Sequence, residues 1–459
     1  MHSFLLLFLL CPLMLLSSHH RRLRPPPLSP PVNNKLHPGR TAGAMLGSLH
    51  HHHHNSSSSS DTDTNNDNNN NNTGDVLAAA APSARDLVLA CADLLQRGDL
   101  PAARRAAGVL LSAASPTADA ADGRLAYHFA RALALRADAK SSSSSSSRSP
   151  SSSGAYLAFN QIAPFLRFAH LTANQAILDA VDGARRIHIL DLDAAHGVQW
   201  PPLLQAISDR AYSAGCGAPP PEVRITGAGE DPDTLLRTGS RLRAFARSIH
   251  LPFHFTPLLL SSSTSSSATA GGSTPPSTSL KLHPDETLAV NCVMFLHKLG
   301  GEDEVAAFFK WVKSMAPAVV TVAERETIAA SGGYDAINDL PRRAAVAMDH
   351  YAAVFEALEA TAPPASRERL AVEQEVLGRE IEASLGSSGG RWWRGVERWG
   401  AAARAAGFAA RPLSAFAVSQ ARLLLRLHYP SEGYLVQEVR GACFLGWQTR
   451  PLLSVSAWQ

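Results

Sequence analysis

The chain has 459 residues, 45% of them hydrophobic, with 42 Lys and Arg against 39 Asp and Glu, a formal charge of +3. That near-neutral balance excludes binding to nucleic acid through bulk charge, and the five cysteines (Cys11, Cys91, Cys216, Cys292 and Cys443), with no C-x-x-C pair, exclude a zinc finger or a disulfide framework and fit a reducing intracellular compartment. Low-complexity residues 1–81, 140–154 and 261–279 are predicted to be disordered and leave about 344 residues, ample for a sheet buried between helices.

Phe4 to Leu16 is an apolar run, but Arg21, Arg22 and Arg24 follow it and prolines come next, whereas a secretory signal carries its positive charge first and ends in small residues. Thirteen residues are also too few to span a bilayer. Met45 offers a second start, and residues 1–44 read as an over-extended beginning. The His50 to His54 tract, set among Ser and Asn homopolymers, reads as compositional drift rather than a metal site.

Ser83 with Asp86 resembles a capping box, and Leu87, Cys91, Leu94 and Leu95 then recur at helical spacing up to Gly98. Asp99 and Pro101 start a second helix through Leu110, and Leu125, Phe129, Ala132 and Leu133 stripe a third. Pro101 occupies the next heptad position after Leu87 and Leu94, which excludes a long coiled coil. Beyond the first serine insert a helical segment from Tyr156 is interrupted at Pro164, and Thr172 to Val181 gives one more helix.

Strands begin at Ile187 to Leu192, an apolar run of the kind buried on both faces of a parallel sheet. A helix from Pro201 follows, then a strand Glu222 to Thr226, a helix from Asp231 to Ile249 and a short strand Phe253 to Phe255. After the second insert come a strand Leu288 to Leu296, a helix Val305 to Met315 and a strand Ala318 to Ala323. Helices are then predicted over Pro341 to Ala360, Arg367 to Ala383, Trp392 to Ala406 and Ala415 to Leu427. Three closely spaced strands, Tyr434 to Val439, Ala442 to Trp447 and Leu452 to Trp458, are placed to pair antiparallel. The alternation predicts an α/β, Rossmann-like fold: a doubly wound sheet of class I methyltransferase-like layout, with antiparallel C-terminal strands and a helical cap.

Methyltransferases of this layout bind S-adenosylmethionine on the glycine-rich loop after the first strand. Here the loop reads LDLDAAHG: Gly197 remains, while Asp193 and Ala195 stand where glycines are expected, and Asp193 would set a carboxylate beside the cofactor's own. The second strand ends in Gly227, Ala228 and Gly229, without the acid that holds ribose hydroxyls, and Glu230 only partly substitutes. Neither a G-x-S-x-G elbow nor a phosphate-binding G-x-x-x-x-G-K-[ST] loop is present. His188 and Asp191, three apart on one strand, point to opposite faces, so a joint catalytic role is not expected; His188 reads as a bonded core residue and Asp191 as a strand-end cap.

The residues now specify a family. IHILDLD followed by GVQWPPLLQAI resembles the VHIID block of plant GRAS proteins, its core being Ile187, His188, Ile189, Leu190 and Asp191. Leucine-rich regions flank it, an intermediate region contains VAERE and GREIE in place of a full PFYRE string, and the chain closes on Ser456, Ala457 and Trp458, matching the family's SAW. The resemblance divides the chain into a disordered 1–81 and a GRAS domain 82–459. Within the domain, leucine-rich region I covers 82–139, the VHIID region 156–225, leucine-rich region II 235–260, the PFYRE-like region 288–383 and the SAW region 391–459. ACADLLQRGDL and YLAFNQIAPFLRFAHLTANQAI are most similar to the Monoculm and Lateral suppressor type.

What this resemblance implies is a nuclear transcription regulator promoting axillary meristem formation and shoot branching. It would act through DNA and other regulators, including DELLA-type GRAS proteins, as a homodimer or heterodimer, without a membrane role. No catalytic, cofactor-binding or metal-ligating residue is assigned. The rival readings are an S-adenosylmethionine-dependent methyltransferase and a secreted or membrane-bound protein using residues 1–16.

Two arginine rows are candidate contact surfaces. Around the Leu235, Leu242, Phe245 and Ile249 stripe, at about 100° per residue, Arg237 and Arg241 fall on one flank and Arg243 and Arg247 on the other, as at the rim of a protein interface. Arg391, Arg394 and Arg398 form a second row beside Trp392, Val396, Trp399 and Ala403 and are candidate contacts to DNA phosphates. The blander reading of each row, a solvated helix face beside core, is the preferred one.

Overall fold

A computed structural model describes residues 82–139, 153–194, 196–213, 219–260, 280–299, 301–326, 339–363, 365–386, 395–429 and 432–459. The expected disorder of 1–81 and 261–279 falls outside these residues. So does that of 140–154, except for its last two positions, which open a helix.

Helix α1 (Ala84–Arg97) begins at the expected capping box: Ser83 Oγ accepts the Asp86 N–H at 3.2 Å, and the Asp86 carboxylate accepts the Ser83 N–H at 3.1 Å. Asp99 caps α2 (Leu100–Ala113), and α3 (Ala121–Ala139) follows. These three helices pack with one another and with two later ones, α9 (Leu340–Thr361) and α11 (Gly378–Leu385), as a helical layer.

Next come α4 (Ser153–Ile162) and α5 (Phe165–Ala180). The apolar spacing places the start of α5 near Thr172, seven residues late. Thirteen of its 16 residues are buried, including His170, Asn174 and Gln175, so no polar stripe marks its outer face.

The nine-stranded sheet has the order β3-β2-β1-β4-β5-β9-β8-β7, with β6 paired to β9. Strands β1 (Arg186–Asp191), β2 (Glu222–Gly229), β3 (Phe253–Leu259), β4 (Thr287–Val293) and β5 (Val319–Arg325) are parallel. The crossover helices α6 (Trp200–Ser213), α7 (Pro232–Ser248) and α8 (Glu302–Ser314) join them. Alternate residues of each inner strand enter two cores. Ile187 and Ile189 face α5 and α6, whereas Leu190 packs with Val290, Val322 and α8, which is why these strands read as unbroken apolar runs.

Strand β3 runs four residues past its expected end and carries Pro257, tolerated because β3 is an edge. The segment expected as one helix over Arg367 to Ala383 is α10 (Arg367–Val372), a π-helical turn (Glu373–Leu377) and α11. Helix α12 spans Val396–Ala405, with Trp392 outside the described residues, and the two-residue β6 (Ala410–Arg411) had no signal in the sequence. After α13 (Ala415–His428), β7 (Tyr434–Val439), β8 (Ala442–Trp447) and β9 (Arg450–Trp458) pair antiparallel, as expected. Strand β9 lies between β5 and β8, so Ser456 pairs with Val322 and Trp458 with Val320 inside the sheet.

Candidate functional site

Strand β1 carries the motif, and all five of its residues are buried. His188 accepts from Arg224 at Nδ1 (3.1 Å), so its Nε2–H donates to Thr226 Oγ1 at 2.8 Å. Burial, with Arg224 adding to it, pushes this imidazole down to about 4, and it is neutral at physiological pH. Asp191 points to the opposite face, as the spacing required, and is more than a strand-end cap. Its carboxylate accepts from the Trp200 indole (2.8 Å) and from Asn291 (3.0 Å), and Asn291, Gln199, Asn174 and Thr321 close the rest of a buried layer through bonds of 2.8 to 3.1 Å. Burial raises Asp191 to about 7 against the pull of those two donors. The layer ties β1, β4 and β5 to α5 and to the start of α6, and its fully bonded groups are structural.

The loop after β1 is closed where a nucleotide would enter. Gly197 has φ +64°, and a Cβ there would lie 2.6 Å from Thr238 Cγ2, so helix α7 packs directly on the loop. At Gly227 a Cβ would meet Phe255 at 2.7 Å and the Ala194 side chain at 2.9 Å, and the Ala194 N–H donates to the Ala228 carbonyl at 2.9 Å. Glu230 is exposed just beyond β2. The Tyr156 and His196 rings meet at 5.8 Å over the loop, and a cavity of about 50 Å³ is left between them and its described residues.

Asp193 differs from expectation. Lys298 donates to its carboxylate at 2.6 Å, so the charge does not stand alone to repel another carboxylate. Closure of the β2 side and the missing ribose acid, rather than repulsion, argue against the cofactor. Calorimetric titration with S-adenosylmethionine is expected to give no heat of binding; a micromolar Kd would overturn this.

A larger cavity of about 360 Å³ opens beside Asp193, at the carboxyl ends of the parallel strands, where the order turns from β1 to β4. Phe159, Phe165, Leu166, Val354, Val376 and Leu377 supply its apolar wall. Its polar lining includes the Asp193–Lys298 pair, Arg325 paired with Glu380, Arg379, His297, Ser384, Tyr156 and Tyr351, whose hydroxyl lies 3.4 Å from Glu380. His350 donates Nδ1–H to the Glu326 carbonyl at 2.9 Å, and burial holds it down to about 3, so it is uncharged. The Arg325–Glu380 pair joins VAERE on β5 to GREIE on α11, two strings that nothing in the sequence brings together.

The arginine rows are placed differently from each other. On α7, Leu235 and Leu242 are buried and Phe245 and Ile249 pack partly against the core. Arg237, Arg243 and Arg247 are exposed, whereas Arg241 turns inward to the His196 carbonyl at 2.9 Å and Thr238 at 3.1 Å. Arg391 and Arg394 lie outside the described residues. Arg398 stands 3.8 Å from Glu302 on α8, and its neighbour Trp399 is core, as the stripe suggested. Among the described residues no group of three or more His, Cys, Asp and Glu could hold a metal ion, and no helix is long and apolar enough to cross a membrane.

From Ala84 to Gln459 the sequence matches the GRAS domain family. The chain belongs to that family. This GRAS protein is 75% identical over 394 residues to Protein MONOCULM 1 of Oryza sativa subsp. japonica, covering 82% of this chain and 88% of the relative. It is 31% identical over 385 residues to DELLA protein RGA2 of Brassica campestris, covering 81% of this chain and 62% of that one. The crystal structure of SCL7 in Oryza sativa matches with a TM-score of 0.63 at 31% identity, over 83% of this chain and 100% of that one. The resemblance read from the VHIID and SAW blocks is thereby shown, and the chain is a transcriptional regulator of the GRAS family.

Proposed function

We propose that this GRAS protein works in the nucleus, through DNA and partner regulators, to promote axillary meristem formation and shoot branching. The observation that carries the reading is the 75% identity to MONOCULM 1 over 88% of that protein. Relatedness to a DELLA protein supports DELLA-type GRAS proteins as partners. The strand order, with an antiparallel group beside β5, supports a methyltransferase-like sheet turned to a non-enzymatic use, and the closed β1 loop favours this over the rival enzyme. Regions 82–139, 156–225, 235–260, 288–383 and 391–459 keep their proposed assignments. The test is expression in a rice line lacking MONOCULM 1: tiller number should recover, and accumulation of the protein in nuclei without new tillers would overturn the proposal.

For DNA, the low charge sets the expectation. With +3 on the whole chain, one copy can neutralise few phosphates, so association should require a second copy or a partner that adds its own arginines to the same duplex. Replacing Arg391, Arg394 and Arg398 with Ala should lower affinity and reduce the salt slope by about 0.9 for each phosphate no longer neutralised. Arg398→Ala alone separates a phosphate-binding role from the Glu302 pair, since only the former changes the slope. An unchanged slope in the triple variant places the DNA-binding arginines elsewhere, and tight binding by a monomer removes the dimer requirement.

A further inference from the structure

Three arginines are buried among the described residues, and two of them, Arg124 and Arg369, share Glu373. The third, Arg343 at 4% exposure, has neither an ion pair nor a hydrogen bond from its guanidinium among the described residues. Burying a cation without an anion is costly, and an orphaned group of this kind calls for an ion or an ordered water. A second guanidinium lies at the same level. Helices α3 and α9 run antiparallel, the Ala121 N–H donating to Glu359 at 3.2 Å and Phe129 meeting Tyr351 at 6.3 Å between ring centroids. Arg136 is seven residues beyond Phe129 and Arg343 eight before Tyr351, which carries them about 11 and 12 Å further along their helices. Arg136 donates to the Leu385 and Gly386 carbonyls at the end of α11 and likewise has no carboxylate partner among the described residues. Of the acids nearby, Asp339 caps α9 by accepting the Arg342 N–H at 3.1 Å, and Glu382 pairs with Arg131 at 3.4 Å. Burial, with Arg136 adding to it, holds the Arg343 guanidinium below its usual range against the pull of Asp339.

We propose that Arg136 and Arg343 form a binding site for a phosphate group where α3 ends and α9 begins. The planar fork of a guanidinium sets two N–H donors against two oxygens of a phosphate, and two forks suit a tetrahedral oxyanion better than they suit chloride. The Arg343 Nε is sealed from solvent, so the phosphate would meet that side chain at its terminal nitrogens. The phosphate can belong to a free compound or to a phosphorylated serine, and the chemistry at the two arginines is the same. The proposal does not rest on the regulator reading, and either can fail without the other.

The test is calorimetric titration of the full chain with inorganic phosphate in a chloride buffer of constant ionic strength. One phosphate should bind per chain and raise Tm. Arg343→Met should weaken binding by about ten-fold, the size of one charge-assisted hydrogen bond, and Arg136→Met should do the same. Without phosphate, the Tm of Arg343→Met should hold or rise, because a buried charge with no partner is removed; an arginine with a structural role would lower it. Arg343→Lys, which keeps the charge and loses the fork, should bind with an affinity between those of the native chain and Arg343→Met. A phosphoserine peptide, titrated beside its unphosphorylated form, separates the two sources: binding tighter than that of inorganic phosphate assigns the site to a phosphorylated serine, weaker binding assigns it to a free compound, and either supports the site. No saturable binding of inorganic phosphate or phosphopeptide, or equal binding by the native chain and Arg343→Met, would overturn it. So would a lower Tm of Arg343→Met in the absence of phosphate.

Discussion

Replacing Glu373 with glutamine is expected to cost about 3–5 kcal/mol, the usual loss when one partner of a buried ion pair is removed. Glu373 is 0% exposed, and Arg124, at 1%, donates to both of its oxygens at 3.0 and 3.2 Å. Arg124 also donates to the Ala118 and Asp119 carbonyls and lies 3.7 Å from Glu359, and Arg369 lies 3.6 Å from Glu373, so the variant removes an anion that two buried guanidinium groups share. Urea titration should show a lower midpoint at unchanged slope. Replacing both partners, Arg124→Met with Glu373→Leu, should recover much of the loss, because the desolvation penalty goes with the charges. A loss under about 1 kcal/mol for the single variant would mean that the pair is not buried in solution.

Trp399→Ala should cost about 3–5 kcal/mol by opening a cavity in the second core. The indole is fully buried, stacks on Phe309 at 6.3 Å between ring centroids and meets Trp458 edge-on at 5.6 Å. Near-UV circular dichroism should lose part of the signal of the chain's seven tryptophans, and chemical denaturation gives the size of the loss. Trp458→Ala should be non-additive with it, since each ring forms a wall of the other's site. Additive losses would argue that the two rings do not touch.

These variants also mark where the sequence was and was not legible. The parallel strands were readable because burial on both faces leaves unbroken apolar runs such as Ile187 to Leu190, and the C-terminal strands because short turns leave them little choice but to pair. The VHIID block identified the family, and its alternation placed His188 and Asp191 on opposite faces. It could not show that Asp191 reaches Trp200 and Asn291, the latter 100 residues away.

The cavity was invisible for the same reason. Tyr156, Lys298, Arg325 and Glu380 come from four separate segments, and Glu373 in the π-turn is bonded to Arg124, 249 residues before it. Helical periodicity found both arginine rows but reports only which side of a helix a residue leaves from. The turn of Arg241 toward the His196 carbonyl, and of Arg398 toward Glu302, comes from neighbours that periodicity does not contain.

The place of β9 has a consequence for how the protein is made. Arg450 follows Arg325 by 125 residues, and at ~5–20 residues per second the ribosome needs roughly 6–25 s to deliver β9 after β5. Through that interval the nascent sheet has a valine-rich strand with one row of backbone donors and acceptors unpaired, the feature that recruits foreign strands. Chaperone cover late in translation therefore matters more for this chain than its finished surface suggests, and slow codons between β5 and β9 would lengthen the exposure.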